Sequence, residues 1–203
     1  MTTGYTAALS GRRELQRKAI HAATAVIPVG YAAGLSRSWV LGACLALSGI
    51  ALAVEIARRG SPDFSRRFRQ WTGALLRPHE RAGGLAGATW LFATFALVTA
   101  ATPPGVAVAA MWAVAAGDGA ASVVGRLVGR LRLANGKSLE GSLALLAMTA
   151  AGAYGLARWG VGPALLLGAV AALAEVPRGP FDDNLRVGTA VAAAGSLIVS
   201  LTH

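Results

Sequence analysis

Long apolar stretches alternate with short polar ones along the chain, at 19–35, 38–57, 84–101, 103–124, 139–157, 161–176 and 185–201. An apolar run of about 18 residues is the length that crosses a bilayer. The pattern predicts an all-α, polytopic integral membrane protein of seven transmembrane helices, with residues 1–203 forming one domain. Connections at Ser36-Arg37, Thr102 and 158–160 are tight, whereas those at 60–82 and 125–138 are long and polar. Pro103 and Pro104 suit the first turn of a helix, where a missing N–H leaves no bond unmade.

The first long connection has its own periodicity. Phe64, Phe68, Trp71 and Leu75 recur at helical spacing, while Arg66, Arg67, Arg69 and Gln70 fall largely on other faces. Such a segment is too polar to span and reads as a basic amphipathic helix on a membrane surface; the plain alternative is a solvated loop.

Composition agrees. Hydrophobic residues make up 55% of the chain and charged residues 14%, against roughly a quarter charged in soluble domains, and the mean hydropathy is +0.55. The net charge of +10 is distributed between apolar runs and not over one soluble face, so it reads as a topology signal and as a partner for anionic lipid, not as a nucleic-acid footprint. Cys44, the single cysteine, makes no internal disulfide. Arg12 and Arg13 precede an apolar run without an evident cleavage site, which favours a retained helix over a secretion signal.

Placing the N-terminus in the cytoplasm puts seventeen of the nineteen Lys and Arg residues on the inner side, leaving only Arg37 and Arg158 outside. With seven crossings the C-terminus, including His203, is then outside. All nine acidic residues also fall toward the inner side. Acids contribute little to topology, so this calls either for ion pairing among crowded arginines or for a polar site on that face.

Three acids lie at membrane depth. Glu55, Asp118 and Glu175 each sit about 21–24 Å from the outer start of their helix, at about 1.5 Å per residue, in a core about 30 Å thick. An ionisable group there costs roughly 2.5–3.5 kcal/mol on insertion scales and marks a functional position by default. Three carboxylates at one depth can ring a site for phosphoryl transfer, holding Mg²⁺ or accepting the proton of an attacking hydroxyl. For Glu55, Arg58 and Arg59 offer an equally direct structural pairing.

The richest stretch runs from Gly117-Asp118 through Gly125-Arg126 and Gly129-Arg130 to Lys137-Ser138-Leu139-Glu140-Gly141-Ser142. Asp118, Ser122, Gly125 and Gly129 share a helical face, and Arg126 and Arg130 are one turn apart. Asn135-Gly136 signals a turn that delivers Lys137 and Ser138 to a helix N-terminus, a good phosphate site. It is not a P-loop, because Leu131 stands where GxxxxGK[ST] requires glycine. Near the N-terminus, Glu14, Arg17, Lys18 and His21 form a polar stripe at i, i+3, i+4 and i+7, with His21 open to a catalytic or a merely hydrogen-bonding role. Asp182-Asp183-Asn184 opens the last helix, where such residues also serve as N-caps.

These elements together resemble the family of dolichol kinases, phytol kinases and yeast-type diacylglycerol kinases, which use CTP as phosphoryl donor. The resemblance rests on Glu14-Leu15-Gln16-Arg17-Lys18 with His21, Leu76-Arg77-Pro78-His79-Glu80, the Gly117 to Gly141 block, Glu175, and Asp182-Asp183-Asn184-Leu185, in that order. It implies a CTP-dependent kinase of a membrane lipid alcohol working at the cytoplasmic leaflet with Mg²⁺. The implied nucleotide site comprises Arg17, Lys18, Arg126, Arg130, Lys137, Ser138, Glu140 and Gly141, with Asp118, Lys18 and His21 catalytic. Asp118, Glu175 and Asp183 would hold the metal, and Glu14, Glu55, Glu80 and Asn184 are further polar candidates. The central block is also similar to phosphatidate cytidylyltransferases, which supplies a rival activity, although the glycine-rich GHGG element of those enzymes is missing. A non-enzymatic rival is a small transporter or scaffold with intramembrane acids, which predicts no nucleotide binding.

Overall fold

The computed structural model describes residues 16–73, 76, 78–133, 135–177 and 181–202. Arg12, Arg13, Glu14, Leu75, Arg77, Arg178 and His203 lie outside the described residues, as does the side chain of His79. The elements are helical: α1 (residues 16–23), α2 (Val26–Ala32), α3 (Arg37–Gly60), α4 (Pro62–Thr72), α5 (Pro78–Arg81), α6 (Gly87–Ala101), α7 (Pro104–Trp112), α8 (Asp118–Leu127), α9 (Leu139–Gly155), α10 (Val161–Glu175) and α11 (Asp183–Thr202). A π-turn, Ala113–Gly117, joins α7 to α8 without interrupting the helical path.

Among the described residues, three helices are long and apolar enough to cross a membrane: α3, the continuous α7–α8 rod, and α11. The others expected to span are shorter, at 15 residues for α6 and α10 and 17 for α9. The first expected span is broken. Pro28 has no N–H to give the Thr24 carbonyl, which takes the Ile27 N–H instead at 3.0 Å, and the chain turns at Thr24 and Ala25 between α1 and α2.

The α7–α8 rod is the centre of the molecule, with 67% of its most apolar stretch buried against 17% for α3. Ala107, Ala109, Ala110, Ala113 and Ala115 are fully buried. Side chains this small let α2, α6, α9 and α11 approach its axis. Two glycines on α9 and α10 mark close approaches: a Cβ at Gly152 would lie 2.0 Å from Trp112 Cδ1, and one at Gly168 would lie 2.5 Å from the Leu146 carbonyl oxygen. On α3 the outward face is apolar, with Trp39, Ile50 and Ile56 more than half exposed, and Leu165, Leu173 and Leu197 repeat this on α10 and α11.

Lys18 pairs with Asp118 on the rod, and Lys137 pairs with Glu175 and Asp183, whereas near the start of the rod Arg37 donates to the Ala100 carbonyl and Trp159 Nε1 donates to the Gly105 carbonyl at 3.2 Å. The expected amphipathic helix is present as α4. Ser61 caps it by accepting from the Phe64 N–H at 3.2 Å, and Pro62 fills the first turn. No residue of α4 is buried, and Trp71 is 87% exposed. The expected turn at Asn135-Gly136 is the tip of a small hairpin. Gly136 has a φ of 85° there, Leu133 and Lys137 pair across the turn, and Arg132 bridges to Ser138.

Candidate active site

Two cavities of different character meet at Lys18, Asp118 and Asp183. One, of about 240 Å³, is walled mainly by apolar groups, among them Ile20, Phe68, Leu91 and Phe92, and Glu80 and Asn184 also face it. The other, of about 310 Å³, is polar and bounded by Ser122, Arg126, Arg132, Lys137, Ser138, Ser142 and Glu175 together with the three shared residues.

Local structure explains how the junction is built. In a regular helix the Asp118 N–H would bond to the Val114 carbonyl. The π-turn instead sends it to Ala113, and His21 Nε2 lies 3.0 Å from the released Val114 oxygen. The π-turn thereby ties α1 to the rod. One turn before His21, Lys18 forms a short ion pair with Asp118 Oδ2, and His21 Nε2 stands 3.9 Å from the same oxygen. Lys18 is 9% exposed. Of the polar stripe expected at i, i+3, i+4 and i+7, Arg17 lies in the wall of the apolar cavity, Lys18 at the junction, and His21 against the π-turn.

In the polar cavity Lys137 Nζ bridges Glu175 Oε1 at 3.1 Å and Asp183 Oδ2 at 2.8 Å, and Ser142 Oγ donates to Glu175 Oε2 at 3.2 Å. Asp183 also pairs with Arg186. The acidic pair at the start of α11 divides its work: Asp182 Oδ1 accepts from the Asn184 N–H at 3.0 Å, while Asp183 faces both cavities. Asn184 Nδ2 reaches the Gly87 carbonyl at 3.2 Å.

Several expected site residues serve the fold. Glu55, at 2% exposure, is paired with Arg58 at 3.0 Å and accepts from the Ala86 N–H at 2.9 Å, and it lines neither cavity. The expected ring of three equally deep carboxylates therefore reduces to Asp118 and Glu175, because Glu55 is drawn to the arginine one turn along α3. Glu140 Oε1 accepts the N–H groups of Arg130 and Leu131, at 2.9 and 3.2 Å, which ties the chain after α8 to the start of α9. Arg130 is exposed and lines neither cavity. Ser138 lines the polar cavity, yet its hydroxyl caps α9 by accepting from Gly141 N–H at 3.1 Å, and Gly125, Gly129 and Gly141 close around it. Gly141 also borders that cavity. Glu80 Oε1 holds the Gly87 N–H at 2.8 Å at the start of α6.

Among the described residues, no three of His, Cys, Asp and Glu come together as a metal site. Asp118, Glu175 and Asp183, expected as metal ligands, all line the polar cavity, where Lys18 pairs with Asp118 and Lys137 with the other two. Four basic side chains (Lys18, Arg126, Arg132 and Lys137) and three carboxylates line this cavity, so its wall carries a net positive charge, which suits an anion.

The apolar wall was not legible as a site in the sequence. Ile20, Leu91 and Phe92 read as ordinary span residues, and Phe68 as part of the membrane-facing stripe of α4. Only its place opposite Arg58, 5.6 Å from the ring centre, shows Phe68 turned partly inward. Comparison with protein-family models, with curated proteins and with solved structures finds no match.

Proposed function

We propose that this protein is a CTP-dependent kinase that transfers the γ-phosphoryl group to the hydroxyl of a membrane lipid alcohol of the polyprenol, phytol or diacylglycerol class. The observation that carries the reading is the junction of an apolar and a polar cavity at Lys18 and Asp118. A lipid alcohol has an apolar tail and one polar end; a nucleoside triphosphate is polar throughout. Their reacting atoms must meet where the two chambers do, and proximity of this kind is a large part of phosphoryl-transfer catalysis.

In this reading the alcohol lies in the apolar cavity along Ile20, Phe68 and Phe92, and the triphosphate lies among Arg126, Arg132 and Lys137. The alcohol oxygen forms a bond to the γ-phosphorus as the bond from that phosphorus to the β–γ bridging oxygen breaks, and CDP leaves. The hydroxyl proton passes to the Asp118 carboxylate. Lys18 neutralises charge at the junction, and His21 fixes the approach of α1 through Val114. CTP is the donor by the resemblance of the Gly117 to Gly141 block. Mg²⁺ would arrive with the nucleotide, since it commonly keeps several waters and needs only one or two carboxylates beside the phosphates.

In this reading the chain crosses seven times, the kinked α1–α2 pair making the first crossing, with the N-terminus inside and the C-terminus outside; the distribution of Lys and Arg supports it. Helices α6, α9 and α10 cross a locally thinner core, a modest cost per ångström of mismatch.

The deciding experiment incubates purified protein in lipid nanodiscs with γ-labelled CTP and a panel of lipid alcohols. Label appearing in a phosphorylated lipid, with CDP as co-product, is the expected result. A CDP-lipid with release of pyrophosphate would make the protein a cytidylyltransferase. No turnover of any alcohol, together with no stabilisation by CTP, would leave the transporter or scaffold reading.

A further inference from the structure

A third hollow lies apart from the two cavities, where the end of α3 meets α4 and α5. It offers about 50 Å³ of room, several times the roughly 10–15 Å³ that a single water needs. Its walls are Arg58, Arg59, Arg69 and Arg81, with Ser65 and Gly83. Four guanidinium groups around one small space repel one another unless an anion sits among them.

The local pairing leaves that need unmet. Glu55 pairs with Arg58 at 3.0 Å and stands 3.9 Å from Arg59. Arg69 and Arg81 bond to neutral oxygens, the Ser65 hydroxyl at 3.0 Å and the Leu76 carbonyl at 3.1 Å. Arg58 is the built part of the site: its side chain is 6% exposed. It is held over Phe68, and its hydrogen bonds to Glu55, the Glu80 carbonyl and the Gly84 carbonyl all run through Nη2. A guanidinium carries five N–H donors in a rigid fork; these bonds engage one arm of it, and Arg58 also lines the hollow. Arginine forks match the oxygens of a phosphate in paired hydrogen bonds.

We propose that Arg58, Arg59, Arg69 and Arg81 form a phosphate-binding site, separate from the nucleotide cavity, whose occupant is the phosphate of an anionic lipid headgroup or a free phosphate ion. The lipid source is favoured by the setting, since α4 carries Trp71 and Phe64 exposed beside the arginines. A basic helix with exposed aromatic residues rests at the headgroup level of an anionic membrane. Occupation would clamp α4 to α3 through Arg69 and Arg58, and so hold Phe68 in the wall of the apolar cavity.

The test is native mass spectrometry of the full chain in detergent, titrated with phosphatidylglycerol, with phosphatidylcholine and with inorganic phosphate. Two doubly substituted proteins remove equal charge: Arg69→Gln with Arg81→Gln inside the hollow, and Arg66→Gln with Arg67→Gln on α4 but outside it. Phosphatidylglycerol should bind at one site about tenfold or more tighter than phosphatidylcholine, and the inner pair alone should abolish that preference. Competition by inorganic phosphate at the same site also supports the proposal and assigns a free ion as a second source. Should the inner double variant melt early, Arg69→Gln alone, at an exposed position, is read in its place. Equal loss in the inner and outer variants would mean diffuse attraction to basic charge, and the proposed site would be wrong; so would the absence of any preference for phosphatidylglycerol or phosphate. None of these outcomes depends on kinase turnover.

Discussion

His21 Nε2 lies 3.0 Å from the carbonyl oxygen of Val114, the oxygen that the π-turn releases from the helix ladder. The contact needs an N–H at Nε2 and fixes α1 against the rod one turn from Lys18. Leaving such a buried acceptor unpaired costs about 1–3 kcal/mol. His21→Phe is therefore expected to lower the melting temperature and turnover together. His21→Gln can still donate to Val114 and should keep the fold. If its turnover per folded molecule remains near wild type, His21 is a positioning residue; a drop of tenfold or more would give the imidazole a direct part in the reaction.

The Lys18–Asp118 pair separates catalysis from stability. Asp118→Asn should abolish turnover and also destabilise the protein, because Lys18 loses its partner. Breaking a buried pair costs about 3–5 kcal/mol, less where a cavity admits water. Adding Lys18→Met to Asp118→Asn should recover much of the melting temperature and none of the activity, and a double-mutant cycle measures the coupling. Full turnover in Asp118→Asn would remove Asp118 from the mechanism.

Glu55 is the internal contrast. Glu55→Gln strips Arg58 of its carboxylate at 3.0 Å and weakens the bond from the Ala86 N–H. The melting temperature in detergent should fall, by an amount equivalent to about 3–5 kcal/mol at most. Turnover per folded molecule should stay within about twofold of wild type, because the position faces neither cavity. A selective loss of turnover with an unchanged melting temperature would contradict this assignment.

Gly152 reports on packing around the π-turn. Its substitution by Ala drives a methyl group into Trp112, whose Nε1 donates to the Met148 carbonyl at 2.9 Å. Overpacking of this kind costs about 1–3 kcal/mol, and displacing Trp112 disturbs the turn that begins at the next residue. Gly49→Ala, on a face of α3 with nothing within 4 Å, should be neutral or slightly stabilising, by about 0.5–1 kcal/mol at most. Thermal melts of both variants side by side give the comparison.

By itself the sequence determined the helical class, the alternation of apolar and polar segments, the amphipathic α4 and the turn at Asn135-Gly136. These are local consequences of residue type and period, so they can be read without knowing what packs where. It also brought Glu55, Asp118 and Glu175 forward as a group, because charge inside an apolar chain is costly wherever it lies, and named Lys18, Lys137 and Asp183 on separate grounds. Only the tertiary structure decided which of those charges meet. It sent Glu55 to Arg58 and Glu140 to two backbone N–H groups, and it placed Lys137 between Glu175 and Asp183. Helical period gives the face of a residue on its own helix but not the rotation of one helix against another, and pairing depends on that rotation. The apolar cavity lay beyond sequence reading for the same reason. Ile20, Phe68 and Phe92 look like lipid-facing or core positions until α1, α4 and α6 are set around a common space beside Asp118.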